Sequence, residues 1–212
     1  MQRSLFKRLG YGACHILARL TATVLFRVRV LGREHVPPTG GGLVCANHQS
    51  YFDPVLVGLA VDRRLNYLAR DTLFRNPLFK WLIDFLDAIP IDREGGGLAG
   101  LKETLRRLKQ DELVLIFPEG TRTRDGDLQP LKPGFCAVAR RSQRPLIPVG
   151  FDGAYQAWPR SSPLPRPSSL AVVIGEPIMP EMIATLSDQD LVAELQGRIS
   201  HCLDQARLLR AG

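Results

Sequence analysis

No apolar stretch in this sequence is long enough to cross a lipid bilayer. Within residues 1–30 the longest uncharged runs are 9–18 and 20–26, whereas a membrane-spanning helix needs about 18 or more apolar residues in succession. Arg19 interrupts the apolar part, and no small-residue cleavage site follows it, so the segment does not resemble a secretory signal. We therefore expect neither a transmembrane anchor nor a signal peptide in this segment.

Cysteine is also scarce. The four cysteines, Cys14, Cys45, Cys136 and Cys202, lie far apart and form no Cys-x-x-Cys pair. Because a zinc site needs clustered ligands, we expect no metal centre, and we expect the thiols to be buried in a reducing compartment. Zinc-finger spacing and aromatic RNA-binding signatures are missing as well, so nucleic acid is the least supported partner.

The chain does have enough apolar content for one domain, together with an excess of positive charge. Its 212 residues are 45% hydrophobic and carry a formal net charge of +7. That composition predicts one globular domain, and the charge suits an anionic membrane or a phosphate-bearing small molecule. In residues 1–30 apolar side chains alternate with arginine and lysine, which is typical of a basic amphipathic helix. Such a helix would either pack on the domain's own core or lie in the membrane interface.

Strand and helix patterns alternate along the rest of the chain. Alternation at 26–31 and short apolar runs at 43–46, 65–69, 88–91, 113–117, 146–151 and 170–174 predict strands. Helices are predicted at 54–60, 72–86, 98–108 and 135–141, and a final helix starts after a capping Ser187. This order predicts an α/β fold: a single domain with a mostly parallel mixed sheet flanked by helices.

The most informative stretch is 46–54, where an apolar run gives way to a polar turn that holds His48 and Asp53. On one regular helix a five-residue step would separate two side chains by about 140°. If His48 lies in the turn and Asp53 begins a helix, the chain can fold back and Asp53 can hold one imidazole nitrogen. The other nitrogen could then accept a proton from a bound hydroxyl. Alternatively, Asp53, followed by Pro54, only caps the helix, and His48 is an unrelated polar residue.

A second polar stretch follows the apolar run 113–117, which leads directly into Pro-Glu-Gly-Thr-Arg. Gly120 permits a sharp turn or the close approach of a ligand, and Arg122 offers a planar, permanently charged fork suited to phosphate. Glu119 would repel phosphate, so it would either bind a ligand hydroxyl or fix Arg122. An ordinary surface turn with an internal ion pair is the alternative for the whole stretch. Further phosphate candidates are Arg93, Arg70 and Lys132.

Together these stretches resemble the glycerolipid acyltransferase superfamily, typified by the 1-acylglycerol-3-phosphate acyltransferases. The four blocks of that superfamily appear in order at 47–53, 88–93, 117–122 and 147–149. The third block matches without a change, and Leu131-Lys132-Pro133-Gly134 follows it as in the family. The resemblance covers roughly residues 25–175.

The resemblance implies direct transfer of a fatty acyl group from acyl-CoA or acyl carrier protein to the free hydroxyl of 1-acylglycerol 3-phosphate, giving phosphatidic acid. No cofactor is implied, and direct attack needs no acyl-enzyme. His48 would be the general base and Asp53 its orienting group. The phosphate-bearing acceptor would be bound by Arg93, Glu119, Gly120 and Arg122, with Arg70 and Lys132 in support.

The same resemblance implies work at a membrane, which favours an interfacial segment at 1–25 and an acyltransferase domain at 26–212. We expect monotopic or peripheral attachment at the cytoplasmic face, to an anionic surface. Four departures from the family pattern leave the acceptor open, namely Arg70, Lys80, Asp87 and Pro90. Another lysophospholipid, glycerol 3-phosphate or an amino-acid lipid is the alternative acceptor. A non-enzymatic basic membrane-binding module and a metal hydrolase are the alternative functions.

Overall fold

The structure, a computed structural model, describes residues 26–70, 89–91, 98–162 and 164–212. Within these ranges seven strands form one sheet: β1 Arg29–Leu31, β2 Gly42–Ala46, β3 Leu65–Arg70, β4 Ile89–Ile91, β5 Leu113–Ile116, β6 Leu146–Asp152 and β7 Ala171–Ile174. The helices are α1 Asp53–Ala60, α2 Leu98–Lys109, α3 Gly134–Ser142, α4 Ala154–Ala157, α5 Pro180–Thr185 and α6 Asp188–Ala211, with a 3-10 turn at Arg33–His35.

The strand order is β1-β7-β6-β2-β5-β3-β4. Strand β2 pairs in parallel with β5 and β6, β5 with β3, and β3 with β4, so these five strands point the same way. Strand β7 runs antiparallel to β6, and β1 runs parallel to β7. The carboxyl ends of the five parallel strands therefore meet at one edge of the sheet, where open α/β folds bind their ligands.

Helices cover both faces of the sheet, which explains why all five residues of β2 are buried. Val44 and Ala46 belong to a core cluster that includes residues of α1. Leu43 and Cys45 belong to a second cluster with residues of α2, α3 and α6. The central strand is thus held from both sides, and the loop that follows it starts from a fixed point.

These elements confirm the predicted mixed α/β sheet, with bounds that mostly differ by one or two residues. The first strand is shorter than predicted: it begins at Arg29, because Arg27 takes a positive φ of 42° that interrupts an extended chain. The short helices α4 and α5 were not predicted. Ser187 caps α6 as expected, accepting the Asp190 amide at 3.1 Å. The predicted segment 1–25 and the predicted helix 72–86 lie outside the described residues.

Among the described residues, no helix combines the length and the apolar character that crossing a membrane requires.

Candidate active site

The loop that follows β2 is anchored by two buried amide side chains on either side of His48. Asn47 donates to the carbonyl of Phe151 at 3.0 Å and accepts from its N–H at 2.9 Å, so its amide continues the pairing of β2 with β6. Gln49 donates to the carbonyl of Gly126 at 2.7 Å and accepts from the N–H of Tyr155 at 3.2 Å. Buried amides with both polar ends paired hold a backbone in one conformation.

His48 and Asp53 meet directly. The Nδ1 of His48 lies 2.6 Å from Oδ2 of Asp53, whose side chain is fully buried, while the His48 side chain keeps 20% of its exposure. The imidazole stacks on the ring of Phe117, with centroids 4.0 Å apart and planes 11° apart. One nitrogen therefore faces a buried carboxylate, and the ring is fixed against an aromatic surface.

The expectation that Asp53 caps a helix is wrong. Phe52 occupies the capping position, and Asp53 is the first residue of α1, ahead of Pro54. Its Oδ2 instead accepts from the backbone N–H groups of Gln49 at 2.6 Å and Ser50 at 2.7 Å, which precede it in the chain. The carboxylate thus folds back over the turn that carries His48, because the hydrogen-bond donors available to it lie in that turn.

These contacts determine which imidazole nitrogen can act as a base. Burial raises the pKa of Asp53, and the hydrogen bonds from His48 and from the amides of Ser50 and Gln49 oppose that shift. Because Oδ2 already accepts two backbone N–H groups, it serves best as an acceptor from the Nδ1–H of His48. Nε2 then carries the free lone pair, and it is the nitrogen that can take a proton from a bound hydroxyl.

Glu119 clamps the loop at 47–52 that carries His48, here called the histidine loop, to the segment that follows β5. It is buried, and its Oε1 accepts the N–H of His48 at 2.6 Å while its Oε2 accepts the N–H of Gln129 at 3.0 Å. The carbonyl of His48 accepts the N–H of Thr123 at 2.8 Å, so both backbone polar groups of the histidine are held by this segment. Both Glu119 oxygens contact backbone amides, which differs from either contact that the sequence suggested, a ligand hydroxyl or Arg122.

The Glu119 carboxyl gives a testable pH dependence of stability. Burial raises its pKa to about 7, against an ordinary value of 4.5, although the amides of Gln129 and His48 favour the ionised form. Because the pKa is higher in the folded state, ionisation destabilises the fold as pH rises from 4.5 to 7. We expect Glu119→Gln to remove this loss, which amounts to about 3 kcal/mol. Urea unfolding of both proteins across that pH range measures it.

The informative quantity is the difference in unfolding free energy between wild type and Glu119→Gln at each pH. Glutamine also differs from the protonated glutamate in its hydrogen bonds, because its NH2 group cannot accept a backbone N–H, and this difference in free energy is the same at every pH. The pH dependence is therefore the informative part: the stability of the wild type relative to the variant should fall as the pH rises. Parallel curves would show that Glu119 does not titrate in this range.

Gly120 lies against Lys132, and Arg122 lies against the loop that carries His48. Gly120 has a φ of 73°, and a side chain there would meet the Nζ of Lys132 at 3.1 Å, so glycine admits the lysine. The Lys132 N–H also donates to the carbonyl of Pro118 at 2.9 Å. The guanidinium carbon of Arg122 lies 3.6 Å from the centroid of the Tyr51 ring, three residues after His48. Arg122 therefore contacts the loop that carries His48, and Lys132 contacts the residue next to Glu119, which is bonded to that loop.

The structure brings six of the eight sequence-predicted site residues together: His48, Asp53, Glu119, Gly120, Arg122 and Lys132. The backbone of Arg70 ends β3 at the same edge of the sheet, opposite Ile91 of β4. Arg93 lies outside the described residues, so its assignment stays a prediction.

In the described part of the chain, no group of three or more His, Cys, Asp or Glu side chains is placed to hold a metal ion.

A comparison with protein-family models decides the family. The model described as Acyltransferase matches residues 27–152 of this chain of 212 residues, including both members of the His48–Asp53 pair and the clamp at Glu119. The chain belongs to this acyltransferase family. The match confirms the resemblance inferred from the four blocks, and the acyltransferase is an enzyme that acylates a hydroxyl rather than a non-enzymatic membrane-binding module.

Relatives and a solved structure agree with this assignment. The acyltransferase is 30% identical over 189 residues to the 1-acyl-sn-glycerol-3-phosphate acyltransferase of Bacillus subtilis, spanning 87% of this chain and 90% of that protein. The Pseudomonas aeruginosa protein of the same name is 32% identical over 186 residues, spanning 86% and 68% respectively. The crystal structure of PlsC, the 1-acyl-sn-glycerophosphate acyltransferase of Thermotoga maritima, covers 98% of this chain and 84% of its own. Its TM-score of 0.84 at 24% identity shows a shared fold.

Sequence reasoning assigned no role to Asn47, Gln49 or Tyr51 in this acyltransferase. The sequence did contain a signal for the two amides, because both directly follow a fully apolar strand. Polar side chains buried at such a position need hydrogen-bond partners, which predicts that these amides hold the loop. No comparable signal points to Tyr51, whose contact with Arg122 depends on the adjacency of β2 and β5 in the sheet.

Proposed function

We propose that the enzyme transfers a fatty acyl group from acyl-CoA or acyl carrier protein to the free hydroxyl of 1-acylglycerol 3-phosphate, giving phosphatidic acid. The observation that carries this proposal is the His48–Asp53 hydrogen bond of 2.6 Å, beside a loop that presents Arg122. The shared name of the Bacillus and Pseudomonas relatives supports the choice of acceptor.

The chemistry follows from the free lone pair on Nε2 of His48. The acceptor hydroxyl gives its proton to Nε2 as its oxygen attacks the thioester carbonyl carbon, and a C–O bond forms. The tetrahedral intermediate collapses by breaking the C–S bond, and the proton on His48 passes to the departing thiolate. Asp53 stabilises the imidazolium that exists between these steps, so the pair returns to its starting state after each transfer.

Direct attack by the acceptor is supported because neither of the two possible nucleophiles near His48, the Ser50 hydroxyl and the Cys45 thiol, is suited to attack the acyl donor. The Ser50 hydroxyl is buried and donates to the carbonyl of Trp158 at 2.7 Å. The Cys45 thiol is buried within β2, and burial raises the pKa of this thiol far above its ordinary value. A reactive nucleophile needs exposure and a lowered pKa or an adjacent base. Neither group is prepared to form an acyl-enzyme, and His48 is left to activate the acceptor.

We assign the acceptor phosphate to Arg122, with Lys132 beside it and Arg93 and Arg70 as further candidates. A guanidinium presents parallel N–H donors that match two phosphate oxygens. Within the described residues the Nη1 of Arg122 is buried and has no hydrogen-bond partner. A buried N–H of a cation without a partner is costly, and a phosphate oxygen would satisfy it.

Replacing Arg122 with alanine should raise the KM for the lysolipid acceptor by about 10- to 100-fold, which is the range expected for lost charge-assisted hydrogen bonds. The KM for the acyl donor should change less than twofold, because the donor's thioester does not need this cation. Initial-rate kinetics with each substrate varied in turn measure both values. Arg124, which is exposed on the same loop, provides the matched control as Arg124→Ala. Equal increases in both KM values would contradict the assignment.

The enzyme also needs access to a membrane, since its lipid product carries two acyl chains. We propose attachment of residues 1–25 to an anionic membrane surface, as a monotopic or peripheral protein at the cytoplasmic face. The ring of Phe26 packs 5.1 Å from that of Phe52, next to Asp53. The chain therefore joins the domain beside the catalytic loop, which suits delivery of lipid from an attached membrane.

An acyl-transfer assay with purified protein tests the proposed function. The acceptors should include lysophosphatidic acid, other lysophospholipids and glycerol 3-phosphate, each offered with acyl-CoA and with acyl carrier protein as donor. We expect phosphatidic acid to form fastest from lysophosphatidic acid. Faster acylation of another acceptor would replace the proposed substrate, and the absence of transfer to any acceptor would overturn the proposal.

A further inference from the structure

Tyr51 is the one residue between His48 and Phe52 whose side chain is exposed. Its neighbours are tied inward: Gln49 bonds to Gly126 and Tyr155, and the Ser50 hydroxyl bonds to Trp158. Tyr51 itself keeps 49% of its exposure. About half of this large aromatic side chain is exposed at the edge of the site, so packing of the core does not explain its position.

The reason lies in Arg122, whose guanidinium carbon is 3.6 Å from the centroid of the Tyr51 ring. At this distance the cation contacts the negative face of the ring, an arrangement in which arginine and an aromatic side chain attract one another. Contact through the flat face leaves the N–H groups at the rim of the guanidinium free to point at another partner. The stack therefore fixes the position of the cation without using its hydrogen-bond donors.

Tyr51 itself packs against Trp158. The two ring centroids are 5.1 Å apart, and the carbonyl of Trp158 accepts the Ser50 hydroxyl at 2.7 Å. Trp158 also packs on Phe52 with centroids 5.0 Å apart. The surface on which Arg122 rests is thus built from the same loop that carries His48, so the cation is held at a fixed distance from the catalytic base.

We propose that Tyr51 is a positioning residue that holds the Arg122 guanidinium against the catalytic loop, setting the separation between the acceptor phosphate and the base at His48. This inference rests on the proposed function, in which Arg122 binds that phosphate. Tyr51 acts through Arg122 and through the geometry of the loop. Its loss should therefore weaken recognition of a phosphate-bearing acceptor and leave the acyl donor unaffected.

A double-mutant cycle tests the inference. Tyr51→Leu keeps bulk but lacks the aromatic face, and it should raise the acceptor KM by about 3- to 30-fold, the range expected for a lost cation–π contact. The donor KM should change less than twofold. Tyr51→Phe keeps the face and should restore the acceptor KM to within twofold of wild type. In an Arg122→Ala background, Tyr51→Leu should have no further effect on the acceptor KM.

The outcomes separate the inference from the function on which it rests. An unchanged acceptor KM in Tyr51→Leu, an equal rise in the donor KM, or a rise that persists without Arg122 would each overturn the role of Tyr51 while leaving the phosphate assignment intact. An acceptor KM that Arg122→Ala leaves unchanged would overturn both. Thermal unfolding shows whether each variant folds, and Tyr51→Gln provides a second non-aromatic replacement. Val55→Ala, at an exposed site on α1, is the matched control.

Discussion

Replacing His48 with alanine is expected to lower kcat by about 10²- to 10⁴-fold, the range that general acid–base catalysis contributes. The Nδ1 of His48 is held by Asp53, which leaves Nε2 to take the proton of the acceptor hydroxyl. Substrate binding should persist, because Arg122 and Lys132 remain in place. The rate of thiol release from the acyl donor, followed at saturating acceptor, measures the loss.

Two controls accompany this variant. His201→Ala removes a histidine that is exposed on α6 and hydrogen-bonded to Gln205, and it should leave the rate unchanged. Thermal unfolding should show that His48→Ala is folded, since the imidazole it loses is partly exposed. Transfer that persists at more than a tenth of the wild-type rate would mean that another group removes the proton.

Substitutions at Asp53 should separate the effect of its charge from that of its geometry. Because the N–H groups of Gln49 and Ser50 both point at Oδ2, the oxygen of an asparagine must occupy that position. It would still accept the Nδ1–H of His48, so Asp53→Asn keeps the orientation of the ring and loses the negative charge beside the imidazolium. The asparagine NH2 group would replace the buried Oδ1, which has no hydrogen-bond partner among the described residues, so the variant should also be less stable. We expect kcat to fall about 10-fold, because a charged hydrogen bond is replaced by a neutral one that is about half as strong. Asp53→Ala loses the acceptor as well and should approach the rate of His48→Ala.

Acyl-transfer rates of the two Asp53 variants, measured at saturating substrates beside their unfolding midpoints, test this order. If Asp53 only started the helix, asparagine would serve almost as well as aspartate and Asp53→Asn would keep most of its activity. Equal and complete losses in both variants, with lowered unfolding midpoints, would instead show that Asp53 holds the loop together and has no separate electrostatic role.

Much of the fold follows from the pattern of apolar runs, because a strand buried on both faces must be apolar throughout. The run at 113–117 and the strand β5 Leu113–Ile116 agree for this reason. The direction of a side chain's hydrogen bonds does not follow from such patterns. Asp53 ahead of Pro54 has the sequence of a helix cap, yet the donors that reach its carboxylate belong to the preceding turn. That turn is also held by Asn47, which bonds to β6, and by Gln49, which bonds to the loop beyond β5.

Contacts between segments that are far apart in the sequence could not be predicted either, because they depend on which strands are neighbours in the sheet. The roles of Glu119 and Tyr51 depend on β5 lying beside β2, an adjacency that the order of elements along the chain does not specify. A glutamate beside an arginine suggests an ion pair in sequence, whereas in the folded chain its two oxygens bond the amides of His48 and Gln129. The family blocks indicated which residues gather at the site, and the three-dimensional contacts show how each one supports the histidine.

The role of His48 as the base that activates the acceptor is tested most directly by the initial rate of phosphatidic acid formation from lysophosphatidic acid and a long-chain acyl donor, measured for the wild-type protein beside His48→Ala. We expect steady turnover by the wild type with acyl-CoA or with acyl carrier protein, and a rate lower by about 10²-fold or more in the variant. Equal rates in the two proteins, or no phosphatidic acid from the wild type with either donor, would contradict the proposed mechanism.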